Sequence, residues 1–305
     1  MNNRRREPLA RARSKYTNYK VYKPCELFDF LQEKMPDASR TKIKSFLSKR
    51  LVFVNKVIVT QYNYPLEKGM LVQLSRDKRE TKEFSSKLVN LIYEDAYLLV
   101  VEKKSGVLCA ATANKNERSI LRELTSYVQR STSKKQRAFL IHKLERGASG
   151  LMIYAKDEKT KSSFQDNWKE VMITHKFVGV VYGEMAKEKG MVTSWLESDG
   201  IHCSDDPEVK KVEERAVTKY SKVKSANGYT LVEFEPLIDR NNKIRFHMEY
   251  LGHKLLDRKE EENPINRLAL HSFLIRFRHP VTREVMKFEL PYPAEFRSLL
   301  VREEQ

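Results

Sequence analysis

The sequence predicts a chain of mixed helices and strands in two domains, and three observations carry that expectation. Its 305 residues are enough for two domains and a core of ordinary size. A helix–helix–hairpin pattern over residues 21–75 ends in residues 76–87, RDKRETKEFSSK, a charged stretch without periodicity that reads as a linker. Beyond it, over residues 88–300, apolar strand-like runs alternate with helical stripes.

The elements follow in order. Residues 1–20 carry seven cations (Arg4, Arg5, Arg6, Arg11, Arg13, Lys15 and Lys20) against Glu7, and are expected to form a basic arm that orders on meeting phosphate. Leu27, Phe30 and Leu31 mark a first helix. Ser39 caps a second whose buried stripe is Ile43, Phe46 and Leu47. Arg40, Lys42, Lys44, Lys49 and Arg50 cover the rest of that helix and its exit. The run VFVNKVIV then reads as a tight hairpin, because Asn55 tolerates the left-handed conformation of its turn.

After the linker, residues 88–101 read as strands. Ile120, Leu121, Leu124 and Val128 mark a helix, and Asp157 caps another that buries Phe164 and Trp168. THKFVGVVYG, residues 174–183, is apolar on both alternating faces and is expected as a central strand. Residues 184–217 are charged and poorly patterned, an expected excursion from the sheet.

The net charge of +17 and a pI near 9.6 point to a polyanionic partner, with nucleic acid the first choice. No basic amphipathic helix, apolar anchor or long apolar run argues for a membrane. Three widely spaced cysteines (Cys25, Cys109, Cys203) fit a reducing compartment, by default the cytoplasm, and the seven histidines show no ligand spacing for a metal.

The chemistry concentrates in residues 141–156, IHKLERGASGLMIYAK: a carboxylate, Glu145, flanked by His142, Lys143 and Arg146 on a glycine-bearing loop that feeds an apolar strand. This segment resembles the motif H-R-L-D-x-x-T-S-G-L of pseudouridine synthases of the large-subunit rRNA type, with Glu145 at the position of the catalytic aspartate. Four further segments resemble the same family in order. Lys103 and Gly106 match its lysine–glycine turn, and Phe177 stands where K-x-Y-x-A-x-V-x-G places its tyrosine. Pro236, Leu237, Arg240, Ile244 and Arg245 match P-L-x-T-G-R-T-H-Q-I-R, and RLALHSFLIRFRHP matches its closing segment. Residues 21–75 resemble the alpha-L RNA-binding domain through Ser39, Arg40, Ile43, Leu47, Val52, Val54 and Asn55.

The resemblance implies an α+β fold: a large, mixed, mostly antiparallel sheet in the catalytic domain, preceded by the small RNA-binding domain, with no cofactor and a monomeric state. It implies Glu145 as the reacting carboxylate, Arg240 as its partner across the cleft and Phe177 stacked on the uracil. Arg40, Lys42, Lys44, Lys49, Arg50, Lys103, His142, Lys143 and Arg245 are the implied RNA contacts, the RNA being ribosomal by family precedent. Two functions remain open: a uridine-to-pseudouridine isomerase, or an RNA-binding or ribosome-assembly factor that keeps the scaffold without the reaction. Glutamate adds one methylene, about 1.5 Å of reach, and phenylalanine lacks the tyrosine hydroxyl. Both departures fall on the chemistry.

Overall fold

Two chain units are resolved in the computed structural model, residues 1–83 and 84–305. The described residues are 16–49, 51–55, 57–75, 84–111, 117–131, 136–197, 200–206, 216–237, 243–258 and 263–301.

In the first unit the elements run β1 (Tyr16–Lys20), β2 (Cys25–Glu26), α1 (Leu27–Lys34), α2 (Arg40–Ser48), β3 (Val52–Val54), β4 (Val57–Ile58), β5 (Pro65–Leu66) and β6 (Leu71–Ser75). α1 buries Leu27, Phe28, Phe30 and Leu31, and α2 buries Ile43 and Leu47. The Ser39 side chain caps α2 by accepting the Lys42 N–H at 3.2 Å. The hairpin turns at Asn55, whose φ of 49° is left-handed, and its side chain fixes the turn by accepting the Leu71 N–H at 2.9 Å. Residues 16–20, expected at the end of the basic arm, form a strand. Tyr16–Lys20 lies antiparallel to β6, with Tyr16 packed edge-on to Phe53 at 5.5 Å, so these residues belong to the sheet β1-β6-β3-β4. Residues 1–15, with the other arm cations, lie outside the described residues, as does Arg50.

In the second unit, β7 (Val89–Glu94) and β8 (Leu98–Lys103) lead to α3 (Ile120–Ser131), β9 (Phe139–Leu140) and β10 (Ser149–Ala155). Next come α4 (Glu158–Asp166), α5 (Trp168–Val171), β11 (Met172–Tyr182), β12 (Lys189–Glu197), β13 (Gly200–Ser204), β14 (Ala216–Ala226) and β15 (Tyr229–Pro236). The unit closes with α6 (Lys243–Tyr250), β16 (Leu270–Arg278), β17 (Val285–Glu289) and α7 (Ala294–Ser298). The strands build an eleven-stranded sheet whose path is β13-β12-β14-β15-β11-β16-β10-β8-β7, with β17 on β16 and β9 on β10. β10 and β16 run parallel; the other described ladders are antiparallel.

β10 and most of β11 are buried in the middle of the sheet, which explains why their sequences are apolar without alternation. Asp157 caps α4 through the Thr160 N–H at 2.8 Å, as its sequence position predicts. Residues 184–217 differ from expectation. They contain β12 and β13, which form the end of the sheet. Their pattern is obscured because the buried positions include Thr193 and Ser194, small polar residues, beside the apolar Val192. Ser194 is buried because its hydroxyl meets the ring of His247 on α6 at 2.9 Å. No helix among the described residues is long and apolar enough to cross a membrane.

Candidate active site

The site begins with a loop that has almost no freedom left. Between β9 and β10, residues 144–148 present five successive carbonyls, and each accepts a hydrogen bond. The Cys109 thiol donates to Leu144 at 3.1 Å; burial raises its pKa and so keeps the proton on sulfur. The Ala148 N–H returns to Glu145 at 3.1 Å, and the Gly106 N–H reaches Arg146 at 2.8 Å. The Ser105 hydroxyl takes Gly147 at 2.6 Å. Lys103 Nζ donates to Arg146 at 2.9 Å and to Ala148 at 2.6 Å, with a third bond to Lys104 at 3.1 Å.

The loop leaves on Gly150, and here glycine is required. Its φ is +111°, and a Cβ would lie 2.2 Å from the Ser272 carbonyl oxygen of β16. Ser149 is tied down from the other side, 2.7 Å from His271 Nδ1 and 2.6 Å from Arg267 Nη2. Arg267 itself pairs with Glu295 at 3.0 Å and lies over the Phe296 ring at 5.1 Å.

On this loop Glu145 is half-buried, its side chain 24% exposed, and its Oε2 meets Arg245 Nη2 at 3.2 Å. Arg245 Nη1 bonds Asp257 Oδ2 at 2.9 Å, so a single guanidinium joins two carboxylates. Arg245 stands on α6, and α6 is fixed two residues on by His247. Both of that ring's nitrogens are used, Nδ1 with Thr218 at 2.8 Å and Nε2 with Ser194 at 2.9 Å. Burial lowers the pKa of His247 to about 4, so the ring is neutral and accepts from one of these hydroxyls.

Phe177, on β11, is buried in the same core cluster as Leu144 and Ala148 of the loop and Ile244 beside Arg245. Its ring lies 4.4 Å from that of His175, which contacts His142 at 5.2 Å.

Two expected RNA contacts are corrected by burial. Lys103 is fully buried with its ammonium committed to three carbonyls, and desolvation pulls it down to about 8. It braces the loop and has no N–H left for a phosphate. His142 is buried too; its Nε2 accepts the Ile153 N–H at 3.1 Å, and burial lowers its pKa to about 4. Lys143 is exposed beside Glu145. Arg40, Lys42, Lys44 and Lys49 are exposed on α2 and just after it, Arg40 over the Phe28 ring at 5.2 Å. Arg240, the expected partner of Glu145, lies outside the described residues; the described partner is Arg245. Sequence reasoning does not single out Asp257, Cys109 or Ser105. Asp257 follows Arg245 by twelve positions in a segment that carries no motif, and the other two act through hydrogen bonds to carbonyls, which leave no sequence pattern.

Among the described residues no group of His, Cys, Asp and Glu is arranged to hold a metal ion. The chemistry available is that of a carboxylate at fixed height above a sheet, paired with a guanidinium and walled by apolar residues. Such a group can attack an electrophilic carbon or take a proton. Fold and site thus define a carboxylate-centred scaffold of the α+β class with an appended helical and hairpin unit. The profile of the RNA pseudouridylate synthase family matches residues 97–250, and the chain belongs to that family. It is 26% identical over 294 residues to ribosomal large subunit pseudouridine synthase D of Pasteurella multocida, covering 88% of each chain. It is 29% identical over 217 residues to the uncharacterised RNA pseudouridine synthase YjbO of Bacillus subtilis, covering 70% of this chain and 75% of that one. Among solved structures it resembles human RNA pseudouridylate synthase domain containing 4. The TM-score there is 0.54 at 17% identity, over 69% of this chain and 91% of the other.

Proposed function

We propose that this protein isomerises specific uridines to pseudouridine in structured ribosomal RNA, with Glu145 as the reacting carboxylate. The observation that carries this reading is the Glu145–Arg245 pair at 3.2 Å on a loop whose carbonyls are all held. Several relatives of similar length are named ribosomal large subunit pseudouridine synthase D, which supports ribosomal RNA as the substrate class.

In this reading the carboxylate promotes cleavage of the bond between C1′ and N1 of uridine. The freed uracil turns, C5 bonds to C1′, C5 gives up its proton and N1 gains one, so the reaction is an isomerisation without a co-reactant. Arg245 orients Glu145 and balances its charge. Phe177 offers a ring face to the uracil but no hydroxyl for the C5 proton, which must then leave through another base or water. Lys143 supplies positive charge at the loop rim without arginine's flat stacking surface. The cations of α2 (Arg40, Lys42, Lys44, Lys49) contact phosphates. The protein acts as a monomer in the cytoplasm, where its free cysteines remain reduced.

Glu145 and Phe177 favour a second reading, a factor that binds RNA on this scaffold and does not turn it over. The experiment that separates them is single-turnover pseudouridine formation on RNA recovered bound to the protein from cells. Turnover by the native protein that is lost in Glu145→Gln supports the isomerase. No turnover, with binding intact, supports the binding factor.

A further inference from the structure

We propose that the groove between residues 84–87 and α3 is a phosphate-binding track for RNA that flanks the uridine at Glu145. This rests on the reading of the protein as one that acts on RNA. The groove is lined by Lys87, Arg118, Ser119, Arg122, Ser126 and Arg130, together with Glu123. Its four cations are exposed. Its carboxylate, on Glu123, is engaged by the Ser86 hydroxyl.

Three observations turn a charged surface into a site. Arg122, Ser126 and Arg130 follow at four-residue intervals, which stacks them along one helix face at steps of about 6 Å. They form a row of donors suited to successive phosphates. The second observation is Ser119. It is 1% exposed and lines the groove, and its hydroxyl has no hydrogen-bond partner among the described residues. A buried hydroxyl without a partner calls for an explanation, and a ligand oxygen beside the cations provides one.

The third is continuity with the catalytic loop. Glu117 pairs with Arg146 at 3.3 Å, Arg146 directly follows Glu145, and Arg118 directly follows Glu117. The track therefore starts at the rim of the loop. Its chemistry is that of backbone contact rather than base reading. The ring at the groove, Phe84, packs edge-on to Tyr127 at 5.2 Å, and arginines and serines supply the rest.

The test uses the full-length protein and a fluorescein-labelled transcript of large-subunit ribosomal RNA, with binding followed by anisotropy over a range of salt. In Arg122→Gln/Arg130→Gln, affinity should fall on the order of tenfold, and the salt slope should shrink by roughly 1.5 units, two phosphates at about 0.7 to 0.9 each. Ser119→Ala should weaken binding with the slope unchanged. Photocrosslinking from p-benzoylphenylalanine in place of Ser126 should label the RNA. Unchanged affinity and slope in the double variant overturn the proposal, including the case where the groove serves an acidic protein segment. Absence of a crosslink from position 126, when the same reporter at Lys143 gives one, also overturns it. If the native protein makes no pseudouridine while the double variant loses RNA affinity as stated, the isomerase reading fails and the track stands.

Discussion

Arg245 holds Glu145 with one terminal nitrogen, at 3.2 Å, and Asp257 with the other, at 2.9 Å. The second carboxylate fixes the plane of the guanidinium and so the direction from which Glu145 is approached. Asp257→Asn should leave RNA affinity within about twofold and slow single-turnover pseudouridine formation on the order of tenfold, because misplacing a reacting group by ~1 Å costs up to about a hundredfold. Parallel losses of affinity and rate would show instead that Asp257 serves RNA binding.

Glu145→Asp shortens the side chain by one methylene on a loop that cannot shift to compensate, and should raise turnover. Phe177→Tyr should help only once the aspartate is present, since loss of the C5 proton follows bond cleavage. The pair of changes would then be non-additive. Additive gains in single-turnover pseudouridine formation, measured on the native protein, each single variant and the double variant, would place the two residues in independent steps.

Lys103→Met should lower thermal stability by about 1–3 kcal/mol, the cost of leaving buried carbonyls without donors. It should reduce turnover through a loosened loop and leave the salt slope of RNA binding unchanged. A slope reduced by about one unit would mean that Lys103 does reach a phosphate.

Removing Arg40, Lys44 and Lys49 together should weaken binding to all RNAs alike and lower the salt slope by roughly one unit for each phosphate left without its cation. Sequence-dependent losses, seen by comparing unrelated structured transcripts, would point to base reading by α2.

His142, His247 and His271 are each lowered to about 4, with burial as the leading cause. Their unfolded counterparts titrate near 6.5. Between those values the unfolded chain binds protons that the fold excludes, so stability is full above about 6.5 and falls as pH drops toward about 4. Thermal melts over this range should show a steady loss of midpoint, reduced in His247→Asn. A midpoint that stays flat from ~7 down to ~4.5 would contradict neutral burial of these rings.

Much of the architecture is legible in the sequence because local physics agrees with the fold. Ser39 and Asp157 cap where their positions say they should, Asn55 turns the hairpin, and the uninterrupted apolar runs of β10 and β11 mark the middle of the sheet. What escapes are features defined by partners distant in sequence. β12 reads as a loop because Thr193 and Ser194 occupy buried positions, and only the ring of His247, fifty-three residues away from Ser194, makes sense of the latter. Lys103 and His142 are expected as RNA contacts because a motif match carries no sign of burial. The carbonyls that surround Lys103 belong to the backbone, where every residue looks alike. Glu145 is found through its neighbours in the motif, whereas Asp257 has no motif to announce it.

The five held carbonyls of residues 144–148 have a further meaning for evolution at position 145. A slack loop could absorb a longer side chain by retreating, and the tip of the carboxylate would return to the height an aspartate gives it. Here the backbone is a fixed pedestal, so the added bond of glutamate projects outward in full. Any accommodation must come from the opposite wall: the pose of Arg245, or the depth at which the nucleotide comes to rest. Natural variants that carry glutamate here should therefore show their compensating changes around α6, and leave the supports at 103–109 as they are.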